Sequence, residues 1–424
     1  MTKRRGLLYH HDFRQLLFAE SVSHIGSQIS VLALPLIAVG VLHAPPFQVG
    51  LLMTFQYLAF LVVGLPAGAL VDRMRRRRVL LAADLGRAVV LGSVPAAWAL
   101  DMLSMPQLYA VALLSGVLTV FFDVAYQSYL PYLVKSDELV EGNSKLEAVH
   151  NVAMIGGPAL GGLLVRLVGA PLAALFDAVS FLVSALFVSR IRSVEEVAPH
   201  QPRTRIGPEI VQGLRFVLAN PVLRAIAFST AWLNFFSAIL ESMVLLLLAR
   251  TLGLSAGTIG LLMAVAGLGA LAGALSAERV TGRLGQNRVI WLSVLVTAPF
   301  GLLLPFAREG WLLWAAIIGW SVTFFGATVY NIAQVSLRQA LTPAHLLGRM
   351  NATMRFMVWG TLPLGGLVGG LLGQFFGVRT AMLVGAVGFL FGFLPVLLSP
   401  LRHRAPVTGE RADDQADEAP NVIR

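Results

Sequence analysis

The chain has 424 residues, of which 57% are hydrophobic and only 13% charged. So few charges cannot cover a water-soluble fold of this size, so a soluble domain is excluded and the chain reads as an all-α integral membrane protein. The formal net charge is +10 and there is no cysteine, which excludes disulfides and thiolate metal centres.

Met1 to Arg5 is short and basic. The apolar segment behind it is too long for a signal-peptide core and lacks a cleavage site, so it reads as a retained first helix. From there the chain falls into apolar stretches of about 20 residues or more, each long enough to cross the hydrocarbon core. Lipid offers the backbone no hydrogen bonds, so these stretches must be helical. Twelve transmembrane helices are predicted, at roughly 13–42, 47–71, 79–100, 106–130, 146–168, 171–190, 222–250, 256–279, 288–307, 310–335, 350–375 and 378–399. The polar stretch from Ser193 to Pro221 separates the sixth from the seventh. Within it Ile206, Ile210, Val211, Leu214 and Val217 fall at helical spacing between Glu209, Gln212 and Arg215, which predicts a short amphipathic helix on the inner membrane surface. The acidic tail, with Glu410, Asp413, Asp414, Asp417 and Glu418, is expected to be solvated and disordered.

The chain contains itself twice. Val49-Gly50-Leu51-Leu52-Met53 matches Ile259-Gly260-Leu261-Leu262-Met263, and Arg78-Val79-Leu80 matches Arg288-Val289-Ile290. Further on, Asn143, Gly157, Gly161, Gly162 and Gly169 fall on Asn351, Gly365, Gly369, Gly370 and Gly377. Two similar apolar halves point to two pseudo-symmetric six-helix bundles with a transport site between them. The expected division is roughly 1–192 for the N-terminal bundle, 193–221 for a cytoplasmic linker, 222–400 for the C-terminal bundle and 401–424 for the tail.

With the N-terminus inside, the inner loops hold Lys3, Arg4, Arg5, the run from Arg73 to Arg78, Arg190, Arg192, Arg203, Arg205, Arg215, Arg279, Arg283, Arg288, Arg338 and Arg349. The outer loops hold only Arg166, Arg250, Arg308 and Arg379. This asymmetry predicts a multi-pass protein of the inner (plasma) membrane with both termini cytoplasmic. The arginines are topology signals beside spans, so nucleic acid is not an expected partner.

The loop after the second helix reads Gly68-Ala69-Leu70-Val71-Asp72-Arg73-Met74-Arg75-Arg76-Arg77. It resembles the Gly-x-x-x-Asp-Arg-x-Gly-Arg-Arg motif of the major facilitator superfamily, with Arg75 in place of the second glycine. The equivalent second-half loop has Gly282 in place of the aspartate. The resemblance implies a conformational gate built from Gly68, Asp72, Arg73, Arg76 and Arg77, in which the carboxylate gains from a helix N-terminus. Gly157-Pro158-Ala159-Leu160-Gly161-Gly162 is similar to the Gly-Pro-x-x-Gly-Gly motif of the family's exporters, so Gly157, Pro158, Gly161 and Gly162 imply export. Asp12-Phe13-Arg14-Gln15-Leu16, Ala83-Asp84-Leu85-Gly86-Arg87, Phe176-Asp177-Ala178-Val179-Ser180-Phe181 and Gly213-Leu214-Arg215-Phe216 resemble the macrolide-efflux and siderophore-exporter branch.

Ionisable groups inside a membrane cost several kcal/mol and are functional candidates by default. Glu20 and His24 share one face of the first helix, continued by Ser27, and Asn234 and Glu241 share a face of the seventh. The repeat sets Asn234 opposite His24, so both helices turn polar faces the same way. Asp123, Tyr126 and Gln127 on the fourth helix and Tyr330, Asn331 and Gln334 on the tenth add polar groups. Glu20, Glu241 and Asp123 are the proton-coupling candidates. His24, Ser27, Asn234, Tyr126, Gln127, Tyr330, Asn331 and Gln334 are the cavity candidates. Asp84 with Arg87, and Asp177, read as structural, and Trp232, Phe235 and Phe236 as packing. The expected activity is proton-coupled export of small hydrophobic or cationic compounds by a monomer, with a siderophore or metabolite exporter or a lipid flippase as the alternative cargo reading. A membrane sensor or scaffold is the alternative of another class, disfavoured by the short loops. No catalytic residues, cofactor, metal or nucleotide loop is expected.

The lack of cysteine makes the topology testable. Lys3→Cys and Thr408→Cys should react with a membrane-impermeant maleimide only in everted vesicles, and Glu309→Cys only in intact cells; the opposite pattern reverses the orientation.

Overall fold

A computed structural model describes residues 7–71, 74–134, 139–193, 206–343 and 346–403. Among them there is no strand, and twelve helices are long and apolar enough to cross a membrane. The first six spans are α1 (His11–Leu36), α2 (Pro46–Val71), α3 (Arg76–Ala99), α4 (Met105–Leu133), α5 (Leu139–Val168) and α6 (Ala170–Ser189). Then come α7 (Ile206–Ala219) in the linker, α8 (Pro221–Leu246), α9 (Ala256–Leu284), α10 (Gln286–Gly301) and α11 (Trp311–Ala340). The eleventh span is split into α12 (Leu347–Trp359) and α13 (Thr361–Phe376), and the last into α14 (Val378–Leu390) and α15 (Leu394–Leu397).

The repeat is visible in the backbone. His10 Nδ1 accepts from the amide of Phe13 at the start of α1, and Asn220 Oδ1 accepts from Val222 and Leu223 at the start of α8. Both helices end in a π turn, Ile37–Val41 and Leu247–Thr251. Each turn is followed by a residue of positive φ, His43 at 50° and Gly253 at 61°.

The broken spans depart from the single helices expected at 350–375 and 378–399. Proline has no N–H and its ring clashes with the carbonyl four residues back. Pro363 therefore offers no amide to the Trp359 carbonyl four residues back, and Pro395 none to Phe391, whose carbonyl takes the Leu394 amide instead. Side chains meet carbonyls beside these breaks. Thr361 Oγ1 and Asn234 Nδ2 both donate to the Val358 carbonyl, at 2.8 and 3.2 Å. Thr54 Oγ1 donates to the Pro363 carbonyl at 3.1 Å. Ser229 Oγ donates to the carbonyl of Gly392.

The chain packs as two compact units whose borders run through helices. The first comprises Met1–Arg203, Ala238–Gly267 and Leu362–Met382. In it α1 packs on α5 and α6, α2 on α4, and α3 on α4 and α6, around Phe13, Leu16, Leu80, Phe122, Tyr129 and Val188. The Asp12 carboxylate accepts the amides of Arg192 and Ser193 at 3.0 and 2.9 Å, tying the start of α1 to the chain leaving α6. The second unit comprises Thr204–Ser237, Leu268–Thr361 and Leu383–Arg424. Its core gathers Val222, Ile226, Val289, Ile290, Val329 and Val396. The linker helix α7 packs against α12. Gly213 is buried so closely that a methyl group there would lie 2.9 Å from the Arg349 carbonyl oxygen, and Val217 is buried with Leu223, Ala227, Met350 and Met354. Val211 and Leu214 remain exposed.

Helices of the second unit also approach backbone to backbone. A methyl group on Gly269 of α9 would lie 1.8 Å from the Ser321 carbonyl oxygen of α11. Gly269→Ala should therefore cost about 1–3 kcal/mol, read as a lower midpoint of thermal unfolding in detergent. Gly267→Ala, with nothing within 4 Å, should leave stability unchanged or raise it by up to about 1 kcal/mol.

Candidate transport site

The exporter-type segment on α5 serves two neighbours in the first unit. Gly157 and Gly161 face α1: methyl groups there would lie 2.3 Å from Gln28 Cβ and 3.2 Å from Ile29 Cα. Pro158 and Gly162 face α9. A methyl group on Gly260 would meet the Pro158 carbonyl oxygen at 2.3 Å, and one on Gly162 would meet the Ala256 carbonyl oxygen at 2.5 Å. The repeat builds the same contact again between α2 and α13, where a methyl group on Gly50 would meet the Gly366 carbonyl oxygen at 2.5 Å and Gly370 Cα at 2.6 Å. Small residues allow such approach where lipid provides no hydrophobic drive between helices. Between the ends of the first and seventh spans, Arg250 Nη2 donates to the Val39 carbonyl at 3.1 Å, placing a cation on the carbonyl end of a helix. These contacts bring α1, α2, α5, α9 and α13 of the first unit together near the end of α1 opposite the chain's N-terminus.

Deeper in this unit, Glu20 is buried and its Oε2 lies 3.0 Å from His24 Nε2, one turn along α1. Its other oxygen, Oε1, has no hydrogen-bond partner. The His24 ring meets that of His150 on α5 edge-on, with centroids 4.8 Å apart, and Asp123 on α4 lies within electrostatic reach of His24. Ser27 and Tyr126 are half-buried and Gln127 is exposed. Glu241 of α8 is exposed, and Tyr57 of α2 lies within its electrostatic reach. The structure thus gathers Glu20, His24 and Asp123 into one group, joined by His150, which the sequence reading passed over. A histidine inside a span was the available signal.

The remaining candidates lie in the second unit. Asn234 is half-buried and donates to the Val358 carbonyl beside the break in the eleventh span. Tyr330 sits in the core, its hydroxyl 2.6 Å from Thr230 Oγ1. Gln334 is buried and donates to Asn331 Oδ1 at 2.9 Å, while Asn331 is exposed. Trp232 Nε1 donates to the Gly388 carbonyl at 2.7 Å, and the Phe236 ring lies against Gly388.

Of the expected gate, Asp72 and Arg73 lie outside the described residues, as do the surroundings of Gly68. Arg76 lies over the Tyr132 ring, 4.6 Å from its centroid. Arg77 donates to the carbonyls of Val188 and Ser189, where it complements the C-terminal end of α6.

Residues 6–419 match the model of the transmembrane secretion effector family. The chain belongs to this family of major facilitator superfamily transporters. It is 29% identical over 417 residues to the multidrug efflux pump Tap of Mycolicibacterium fortuitum, covering 95% of this chain and 98% of that protein. It is 27% identical over 403 residues to the enterobactin exporter EntS of Escherichia coli K12, covering 93% of each. The crystal structure of the nucleoside transporter NupG superposes with a TM-score of 0.75 at 13% identity, covering 91% of this chain and 98% of that one. The protein is therefore a transporter rather than an enzyme, and its fold is the major facilitator fold.

Movement at this end of the first unit is open to a direct test. A Cβ on Gly257 would lie 3.8 Å from Arg166 Cβ, within the roughly 3.5–4.5 Å span of a disulfide. In this cysteine-free chain, Arg166→Cys with Gly257→Cys should cross-link on oxidation and stop transport, and reductant should restore it. If the oxidised, cross-linked protein transports normally, this end does not open during the cycle.

Proposed function

We propose that this protein is a secondary transporter of the inner (plasma) membrane that expels small hydrophobic or cationic compounds in exchange for protons. It acts as a monomer by alternating access, with both termini cytoplasmic. The observation that carries the reading is the placement of acids on repeat-related spans: Glu20, paired with His24 on α1, and Glu241, exposed on α8. An acid inside a membrane is expensive to keep unless it is used. A proton arriving at Glu20 removes the charge that holds His24, and a proton leaving restores the pair. Cargo and proton then compete for the same groups.

The cargo assignment rests on which cations are free. Arg355 lies over the Trp359 ring at 4.8 Å, and Arg87 is held in an ion pair. With both engaged, the deep spans offer an anionic cargo little, which favours neutral or cationic compounds. A second reading, export of a siderophore or other metabolite, is supported by the similarity to EntS over nearly the whole chain.

Everted vesicles holding a proton gradient should release protons on addition of macrolides, tetracyclines or cationic dyes. Glu20→Gln or Glu241→Gln should bring that release to background. Release with siderophores alone would select the second reading. Silence across the panel from inserted, folded protein would end the proton-exchange reading.

A further inference from the structure

The first six spans bury a second set of charges that does not balance. Asp84 and Arg87 on α3 and Asp177 on α6 are 0%, 3% and 1% exposed. Arg87 Nη2 donates to Asp84 Oδ1 at 2.5 Å, and Ser184 Oγ donates to Asp84 Oδ2 at 2.7 Å. The guanidinium is clamped between two rings, 4.2 Å from the Phe122 centroid on α4 and 4.1 Å from that of Phe181 on α6. This clamp fixes the cation in place and leaves its Nε, also buried, without a hydrogen-bond partner.

Asp177 is pressed against the backbone of α1, where a methyl group on Gly26 would lie 2.6 Å from Asp177 Oδ1. Arg87 and Asp84 both lie within its electrostatic reach. Ser180 Oγ sits 2.8 Å from the Asp177 carbonyl oxygen and 3.1 Å from Asp177 Oδ1. A hydroxyl carries one hydrogen. That hydrogen is shared between the carbonyl, the closer acceptor, and Oδ1, and Ser30 of α1 is the other hydroxyl beside the carboxyl.

The surrounding charges do not repair the imbalance. Glu20 on α1 lies within reach of Asp84, and His24 within reach of Arg87. A protonated His24 is already matched by Glu20 at 3.0 Å. Asp123 on α4 adds another acid, and His150 on α5 stands behind His24. Two carboxylates against one fixed guanidinium leave one uncompensated negative charge, which membrane-buried protein does not tolerate.

We propose that Asp177, set against the Asp84–Arg87 pair, is a proton-binding site. Its occupancy is sensed by α1 through the contact at Gly26, two residues beyond His24. The site stands on its own charge balance. That its proton is the one exchanged for cargo rests on the proton-coupled reading above.

The charge count makes unusual predictions for the infrared C=O stretching band of protonated carboxyl groups, measured at neutral pH in the purified protein. Asp177→Asn and Asp84→Asn should each lower the band by one carboxyl, because the remaining acid ionises against Arg87. The double variant should lower it by the same one. Arg87→Gln should raise it by one. Asn replaces a protonated carboxyl almost isosterically, so Asp177→Asn should keep the unfolding midpoint of the wild type. An unchanged band in folded Asp177→Asn, or no rise in folded Arg87→Gln, overturns the site. If the band behaves as stated while vesicles release no protons, the site stands and the coupling reading falls. If vesicles release protons but the band does not respond, the coupling reading stands and the site falls.

Discussion

A carbonyl group inside a bilayer has no water to bond to, and most of this structure follows from that. Continuous helices satisfy their own backbones, and one set of polar side chains donates to carbonyls near helix ends and breaks. Asn234 and Thr361 meet Val358, Thr54 meets Pro363, Ser229 meets Gly392 and Trp232 meets Gly388. Arg77 and Arg250 close the carbonyl ends of α6 and of the first span. Several polar residues in the spans are thus engaged by backbone carbonyls.

Between helices the same solvent removes the hydrophobic drive, leaving close packing as the source of attraction. The glycines supply it where the two copies of the repeat meet within the first unit. Gly50 and Gly370 form one contact, and Gly260 and Gly162, their counterparts, form the other. Such contacts are close and carry little side-chain surface. Under the proposed alternating-access reading, contacts of this kind part more easily than an interlocked set of large side chains would.

Charge placement divides along the same line. Glu20 with His24 is a pair within one helix, one turn apart. Asp84, Arg87 and Asp177 join α3 and α6, with rings from α4 and α6 around the guanidinium and α1 against Asp177. A change of charge there acts on the packing of several spans at once. The two sets sit within electrostatic reach of each other, on helices that share α1 as a neighbour.

The amino-acid sequence by itself determined the twelve spans, the internal repeat and the family. Stretches of about 20 apolar residues have only one way to satisfy their backbones in lipid, and the repeat is carried by identities such as Gly50 with Gly260. The pairing of Glu20 with His24 was legible too, because one helical turn separates them. What only the tertiary structure decided was which face of each helix meets which neighbour. Lipid and protein interior are equally apolar, so the hydropathy pattern does not distinguish the side of a helix that faces a partner. For that reason Tyr330, one of a run of polar residues, turned out to lie in the core against Thr230. His150 gained meaning only when α5 brought it to His24, and Asp177 only when α3 set its neighbour Arg87 between two rings. The breaks at Pro363 and Pro395 were written in the sequence, but their consequences depended on donors from other helices, whose positions no local pattern encodes.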